Sequence, residues 1–372
     1  MGENAPLLTL TMIVKNEAAT LAKTLASAKP FVDRWVILDT GSTDGTQDLV
    51  RDAMRGVPGA LHEVPFVDFA TTRNRGLELC GEETPFVLWL DADDELSGGD
   101  ALRAFLATAV AARDASRGAF YVDMLLVPSA VRFDSARVLD TKEGWRFEGA
   151  VHEVLARPGH GPPTVRIPGV VVRHEAPPDS AARSRARWER DLLLLAADAR
   201  REPAAPRPAF YLAMTYYWLG RHADAIAAFD RRIALGGWVE EVHYAHLMKA
   251  RALAALQRPW PEVLATYLAA HTAAPHRAEA LFDMAMHYHH RGEHGPCVLF
   301  ARRGWELPLP TGALFVEEEA YTWQLADLVG SHAYWIGEYA LGEKAARQAA
   351  AARPEDARLQ QNVLFYVARG AT

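Results

Sequence analysis

The stretch VLWLDADDEL, Val87–Leu96, runs four apolar residues straight into Asp91, Asp93, Asp94 and Glu95, broken by Ala92. A strand that is apolar at every position fits a sheet covered on both faces. In such sheets ligands sit beyond the carboxyl ends of the strands, which is where this run puts its acids. Side chains alternate along an extended chain, so Trp89, Asp91 and Asp93 share one side if the extended conformation persists to residue 93. Two carboxylates then converge on one hard cation, which gives a reason for crowding like charges. The plainer reading is a solvated loop, with Asp94 or Ser97 capping a helix expected over Ala101–Ala112. A calcium EF-hand is excluded: counted from Asp91, Leu96 stands where glycine is required and Leu102 where glutamate is.

Upstream of this stretch, short β-rich runs alternate with helical ones. LLTLTMIV (7–14), RWVILDT (34–40), LHEVPF (61–66) and PFVLWL (85–90) read as strands. Leu21, Leu25 and Ala28 share one helical face, Leu49, Ala53 and Met54 another, and Phe69–Cys80 forms a third helix. Strand, helix, strand at this spacing predicts right-handed crossovers and a mainly parallel sheet. ILDTGSTDGT, Ile37–Thr46, is a second strand end with an acid. Its glycines allow a tight turn, Ser42, Thr43 or Asp44 can cap the helix that follows, and Asp39 can accept hydrogen bonds from a base or a ribose. No G-x-G-x-x-G or G-x-x-x-x-G-K-[ST] run is present, which excludes a dinucleotide fingerprint and a P-loop.

Beyond about residue 180 the strands stop and Ala, Leu and Arg dominate, with Pro203, Pro206 and Pro208 marking the change. Two domains are expected, 1–200 and 201–372. In the second, YYWLGRHADAIAAFDRRIALGG (Tyr216–Gly237) matches the tetratricopeptide pattern, with Gly220, Ala225 and Phe229 at its small and aromatic positions. Weaker copies place landmarks at 257, 292 and 337, separated by 37, 35 and 45 residues, with insertions at Trp260 and around Leu307–Phe315. Paired helices of this kind stack into an all-α array that serves as a scaffold, a dimer interface or a peptide groove.

The chain has 372 residues, half of them apolar, and a net charge of -7, which offers no global field for nucleic acid. The N-terminus carries an acid where a signal peptide needs basic residues, and Lys15 and Asn16 cut its apolar run too early to span a bilayer. A cytoplasmic protein with no membrane span and no nucleic-acid partner is expected. Cys80 and Cys297 lack disulfide or metal spacing and read as packing residues.

Taken in order, TMIVKNE, VILDTGSTDGT, TTRNRGLE (Thr71–Glu78) and WLDADDEL resemble the family 2 glycosyltransferases of GT-A fold over roughly the first 110 residues. The resemblance implies an α/β, Rossmann-like N-terminal domain and a nucleotide-diphosphate-sugar donor, most often carried on UDP. It puts Val14 and Glu17 near the nucleoside, Asp39 on the base, and Ser42, Asp44 and Arg73 close by. Asp91-Ala92-Asp93 becomes the D-x-D motif: the first acid contacts ribose or metal, the last coordinates manganese or magnesium. GWRFEGAVHEVL (Gly144–Leu155) and VVVRHEA (Val170–Ala176) are similar to a bacterial branch that carries helical repeats and includes enzymes glycosylating cysteine in glycocin precursors. That branch implies a peptide or protein acceptor. An inverting transfer needs one base, for which Glu153 is the first candidate and Glu148 the second, because the family's Glu-Asp pair is missing at its usual place. His174, which ends an apolar run, is expected as a third metal ligand or a diphosphate contact, and His152 as a sugar or acceptor contact. Other readings stay open at this point: a repeat scaffold, homodimeric through its repeats, with a relic transferase domain; a transferase acting on an envelope glycan or small metabolite; and a sugar nucleotidyltransferase, against which the missing Gly-rich phosphate loop counts.

Overall fold

A computed structural model describes residues 5–112, 118–127, 132–159, 161, 165–175, 181–311 and 313–370. The chain divides into two compact units, Met1–Arg187 and Trp188–Thr372.

The first unit is built on an eight-stranded sheet. Its strands are β1 (Leu8–Val14), β2 (Arg34–Asp39), β3 (Gly59–Glu63), β4 (Phe86–Trp89), β5 (Asp94–Ser97), β6 (Ala119–Val127), β7 (Arg132–Asp140) and β10 (Val165–Glu175), in the order β3-β2-β1-β4-β7-β6-β10-β5. The pairs β3–β2, β2–β1 and β1–β4 are parallel, as the alternation of strands and helices predicts. The far half is mixed: β7 runs antiparallel to β4 and β6, β10 parallel to β6, and β5 antiparallel to β10. A separate hairpin pairs β8 (Arg146–Glu148) with β9 (Val154–Ala156).

Burial on both faces explains the apolar strands. Leu8, Leu10, Met12 and Val14 face one layer, packed with Leu21 and Leu25 of α1 (Leu21–Ala28), Val50 of α2 (Thr46–Ala53) and Leu102 and Leu106 of α4 (Gly99–Ala112). On the other face Val36, Leu38 and Val87 pack with Cys80 of α3 (Phe69–Cys80). Gly76 lets α3 come close, since a Cβ there would stand 2.9 Å from Thr11 Oγ1 and 3.2 Å from Leu38. Both cysteines are buried and free.

The helix α5 (Ala181–Arg201) contains the division between the units. The second unit is a series of antiparallel helix pairs: α6 (Pro206–Trp218) with α7 (His222–Ala234), α8 (Val239–Ala255) with α9 (Trp260–Ala273), α10 (Glu279–His290) with α11 (His294–Trp305), and α12 (Leu325–His332) with α13 (Tyr339–Ala352), closed by α14 (Ala357–Gly370). The four landmarks of the repeat are the turn residues inside these pairs, each left-handed: Gly220 (φ 73°), Gln257 (φ 54°), Gly292 (φ 65°) and Gly337 (φ 81°). Glycine has no Cβ penalty there, whereas Gln257 adopts the strained conformation without that relief. Ala225, Phe229, Tyr267, Ala270, Ala285, Ala301 and Ala345 fill the interior. Buried charges are paired: Arg232 with Glu241 at 2.8 Å, and Arg277 with Glu279 at 2.8 Å and with Glu240. Among the described residues no helix is long and apolar enough to cross a membrane.

Candidate active site

The parallel half of the sheet brings Val14, Asp39 and the Asp91 turn to one edge, because β2, β1 and β4 are neighbours that end there. Val14 is the buried last residue of β1. Asp39, the last residue of β2, is wholly buried, and its Oδ1 accepts from the Gly41 N–H (2.8 Å), the Ser42 N–H (2.9 Å) and Gln47 Nε2 (3.2 Å). Its Oδ2 has no hydrogen-bond partner among the described residues. Burial pushes this carboxyl up, but the donors of Ser42, Gly41 and Gln47 outweigh it and leave it below the usual carboxylate range.

The turn after β2 is tied to the turn after β1. Ser42 Oγ accepts from the Asn16 N–H (2.9 Å), the Thr43 N–H donates to Asn16 Oδ1 (2.8 Å), and Asp44 Oδ2 accepts from the Ala18 N–H (3.1 Å). Asn16 is left-handed (φ 57°), a conformation asparagine tolerates better than most residues. Gly45 precedes α2, while Asp44 Oδ1 accepts from the N–H (3.1 Å) and hydroxyl (2.6 Å) of Thr46. Glu17 is raised, first by burial, to which Asp93, Asp44 and Asp91 add repulsion against a partly offsetting hydrogen bond from Thr20.

The acid stretch departs from the extended reading. The strand ends at Trp89, residues 92 and 93 form a turn, and Asp94 begins β5. The Asp94 N–H donates to the Asp91 carbonyl (3.1 Å) and the Asp91 N–H to Asp94 Oδ2 (2.9 Å), so the turn rotates Asp91 out of register with Asp93. Asp94 is accordingly neither a solvated loop residue nor a helix cap. It is wholly buried, and α4 begins later, at Gly99.

Asp91 is held by two arginines. Arg73 Nη2 lies 2.7 Å from its Oδ1 and Arg137 Nη1 3.3 Å from its Oδ2, and Arg137 also pairs with Asp94 at 3.0 Å. Both guanidiniums sit over the Trp89 ring, 4.2 and 3.7 Å from its centroid, an arrangement that keeps two buried cations in attractive contact with one aromatic face system. Burial pushes the Asp91 carboxyl up, but Arg73 and Arg137 overcome it and hold the group far below the usual range. Arg73 also donates from Nε to Glu153 Oε1 at 2.6 Å. Glu148, in β8, is exposed, and His152 is an exposed left-handed residue (φ 53°).

Asp93, Asp94 and His174 form a second cluster, with one ligand atom from each within 4.8 Å of the others. His174 Nδ1 stands 2.9 Å from Asp94 Oδ1 and 3.4 Å from Asp93 Oδ1, because the antiparallel register of β10 with β5 pairs residue 174 with residue 94. The hydrogen bond His174 donates to Asp94 raises His174 against its burial, and burial raises Asp93, with repulsion from Asp91 and Asp94 partly offset by His174. Arg73 and Arg137 pair with Asp91, Asp94 and Glu153 while Asp93 contacts His174, so the four acids exceed the two arginines by two negative charges. Carboxylate oxygens with one imidazole are a donor set suited to a divalent cation, and the surplus matches the charge of one. Arg137 has no place in the sequence expectations, and Asp94 appears there as a helix cap rather than as a site residue. Arg137 lies in a strand without a motif, and Asp94 was the third acid in a run whose turn could not be seen.

Residues 9–124 match the family described as Glycosyl transferase family 2. The N-terminal unit carries a family 2 glycosyltransferase domain. The chain is also similar to the SPbeta prophage-derived glycosyltransferase SunS of Bacillus subtilis, 25% identical over 236 residues that cover 62% of this chain and 54% of SunS. A TPR repeat-containing protein of Synechococcus elongatus is 36% identical over 96 residues, 26% of this chain and 23% of that protein. The chain thus spans about half of the one relative and about a quarter of the other. Among solved structures, S. aureus TarS aligns over 68% of this chain and 53% of its own at 13% identity and a TM-score of 0.40. MamA aligns over 47% and 88% at 14% identity and a TM-score of 0.36. The repeats of the second unit are of the tetratricopeptide type, and the family 2 domain contains Asp39, Arg73 and the whole acid turn, while Arg137, Glu153 and His174 lie beyond the matched residues.

Proposed function

We propose that this chain is a metal-dependent inverting glycosyltransferase that moves a sugar from a UDP-sugar to a peptide or protein acceptor. The observation that carries the proposal is the edge of the sheet itself: a buried Asp39 with an oxygen unpaired among the described residues at the end of β2, and the Asp93–Asp94–His174 cluster beyond β4. The unpaired oxygen suits the imide N–H of a pyrimidine base, since a buried acceptor without a donor costs about 1–3 kcal/mol until one arrives.

In this reading Val14, Glu17, Ser42 and Asp44 frame the nucleoside, and Asp91, fixed by Arg73 and Arg137, accepts from the ribose hydroxyls. Asp93, Asp94 and His174 would hold a manganese or magnesium ion, which when bound neutralises charge on the departing diphosphate. Glu153 takes the proton of the acceptor nucleophile as the new bond to the anomeric carbon forms and the bond to the diphosphate oxygen breaks. Arg73 keeps that carboxylate in place, and its hydrogen bond fixes the side chain that receives the proton. The repeat unit favours a macromolecular acceptor over a small metabolite, because stacked helix pairs offer an extended surface that a small molecule does not need.

The test is a thermal-shift panel of nucleotide sugars with manganese, followed by mass spectrometry of candidate peptides. Stabilisation by UDP-sugars and a mass gain of one hexose or N-acetylhexosamine on a peptide are expected. If no nucleotide stabilises the protein, or Asp93→Ala turns over like wild type, the proposal is wrong.

A further inference from the structure

A second group of metal-ligating side chains lies in the repeat unit. The run HYHHRGEH, His287–His294, ends α10 and opens α11, and His332 ends α12. His332 is 5% exposed, and each of its ring nitrogens faces another imidazole: Nε2 lies 2.7 Å from His289 Nδ1, and Nδ1 lies 2.9 Å from His294 Nδ1. His289 is exposed, so the first of these gaps opens to solvent, while the His294 ring stacks on Trp335 with centroids 5.4 Å apart.

The geometry points to a two-histidine site for a borderline divalent transition metal, zinc being the probe of choice, with His289 Nδ1 and His332 Nε2 as ligands and His294 orienting His332. Imidazole nitrogen suits zinc, nickel and copper(II), and water fills the remaining positions. Two nitrogens on a tetrahedral zinc, each about 2.0–2.1 Å from it, stand roughly 3.3 Å apart. The 2.7 Å gap therefore has to open by about half an ångström for a cation to replace the proton now shared there. His294 completes the arrangement: with Nε2 turned to the metal, His332 donates its Nδ1–H to His294 Nδ1, the outer hydrogen bond that fixes tautomer and ring orientation in metal-bound histidines.

Two further features favour the site. Histidine titrates ordinarily at about 6.5, so at pH 7.5 the His289 and His332 rings both present lone pairs, the form a metal requires. Asp327 is held by Arg358 through contacts of 2.9 and 2.8 Å, so the charges of that neighbouring pair cancel. An ion at this point would tie the last turn of α10 to the end of α12, a cross-brace between neighbouring repeats.

The experiment uses the full chain without a histidine tag, stripped with chelator. Zinc is titrated by calorimetry and by thermal shift, and copper(II) is examined by electron paramagnetic resonance. In an Asp93→Asn background, which weakens the acid cluster, wild-type histidines should bind one zinc with micromolar affinity and raise Tm by about 3 °C at saturation. The copper signal should show coupling to two imidazole nitrogens. His289→Gln, a change at an exposed position that leaves the fold intact, should lose the zinc-dependent Tm rise and at least tenfold in affinity without altering the metal-free Tm. His294→Ala should weaken binding by about tenfold. Unchanged zinc stoichiometry and Tm rise in His289→Gln, or a copper signal without nitrogen coupling, would overturn the inference.

Discussion

Arg73 Nε donates to Glu153 Oε1 at 2.6 Å across 80 residues of sequence, and the pair is largely buried. The same guanidinium holds Asp91, so one side chain links the acid turn after β4 to the segment between β8 and β9. If Glu153 is the base, Glu153→Gln keeps a hydrogen-bonding oxygen for Arg73 and removes only the proton acceptor. Turnover should fall by about 10²–10⁴-fold while the donor dissociation constant stays within a factor of about three. Exposed Glu148 is the control, and Glu148→Gln should remain close to wild type. Steady-state kinetics with calorimetric donor binding reads both, and a larger loss in Glu148→Gln would reassign the base.

The metal prediction separates the acids. Asp91 is occupied by Arg73 and Arg137, whereas Asp93, Asp94 and His174 converge. Asp93→Asn and Asp94→Asn should each weaken manganese binding at least tenfold, and Asp91→Asn should weaken it far less while weakening nucleotide binding. Chelator should abolish transfer and added manganese restore it. Manganese paramagnetic resonance on the three variants is the measurement; equal losses at Asp91 and Asp94 would return the ion to the simple D-x-D pair.

That distinction shows where residue patterns inform and where they stop. The helix at Phe69–Cys80 and strands β1, β2 and β4 follow from local apolar runs and turn residues, because each is a short-range signal. Strand β7 is not legible in this way: RFDSARVLD is exposed over its first three residues and alternates poorly, so it has no strand period to read. Asp94 required knowledge of a turn at 92–93, and Arg137 reaches the acids only through the antiparallel register of β7 with β4. His174 was nameable from the family resemblance, but its contact with Asp94 depends on β10 pairing with β5, a long-range fact. In the repeats the opposite holds: Gln257 was placed by spacing alone and proves to occupy the same left-handed turn as the three glycines.

Asp39 supplies a prediction on the nucleotide. Its Oδ1 is saturated by three donors and its Oδ2 has none among the described residues. A hydrogen bond to a charged group is worth about 1.5–3 kcal/mol, so Asp39→Asn should weaken UDP binding by roughly 10–150-fold. The asparagine can present its NH₂ where the base also offers N–H, which adds a clash of donors. Calorimetry with UDP and with a purine diphosphate tests this; an equal loss for both, or none, would mean that Oδ2 does not face the base.

The last prediction concerns pH and the repeat unit. His243 is wholly buried in α8, its Nδ1–H donates to the Ala270 carbonyl (2.9 Å), and its Nε2 has no hydrogen-bond partner among the described residues, with Glu279 at 3.9 Å. Burial lowers it, Arg277 lowers it further, and Ala270, Glu279 and Glu240 only partly oppose this. His246 and His271 are also lowered, chiefly by burial. A histidine whose folded value is depressed binds fewer protons folded than unfolded, so its contribution to stability is present above the unfolded value of about 6.5 and is lost as pH falls below it. Glu240 and Glu279 are lowered too, but their contribution is lost only on acidification through the carboxylate range, near 4.5 and below. Asp283, raised by burial, acts in the opposite sense, gaining stability as pH falls, so any fall in stability from pH 6.5 to 5 is the signature of the histidines. Denaturation of the repeat helices, followed by circular dichroism in urea, should show a midpoint that falls between pH 7.5 and 5.5. His243→Gln, which can still donate to Ala270, should flatten that dependence even if it lowers the midpoint at pH 7.5. A midpoint independent of pH in the wild type, or an undiminished slope in His243→Gln, would show that His243 is protonated in the folded chain at the expense of Glu279.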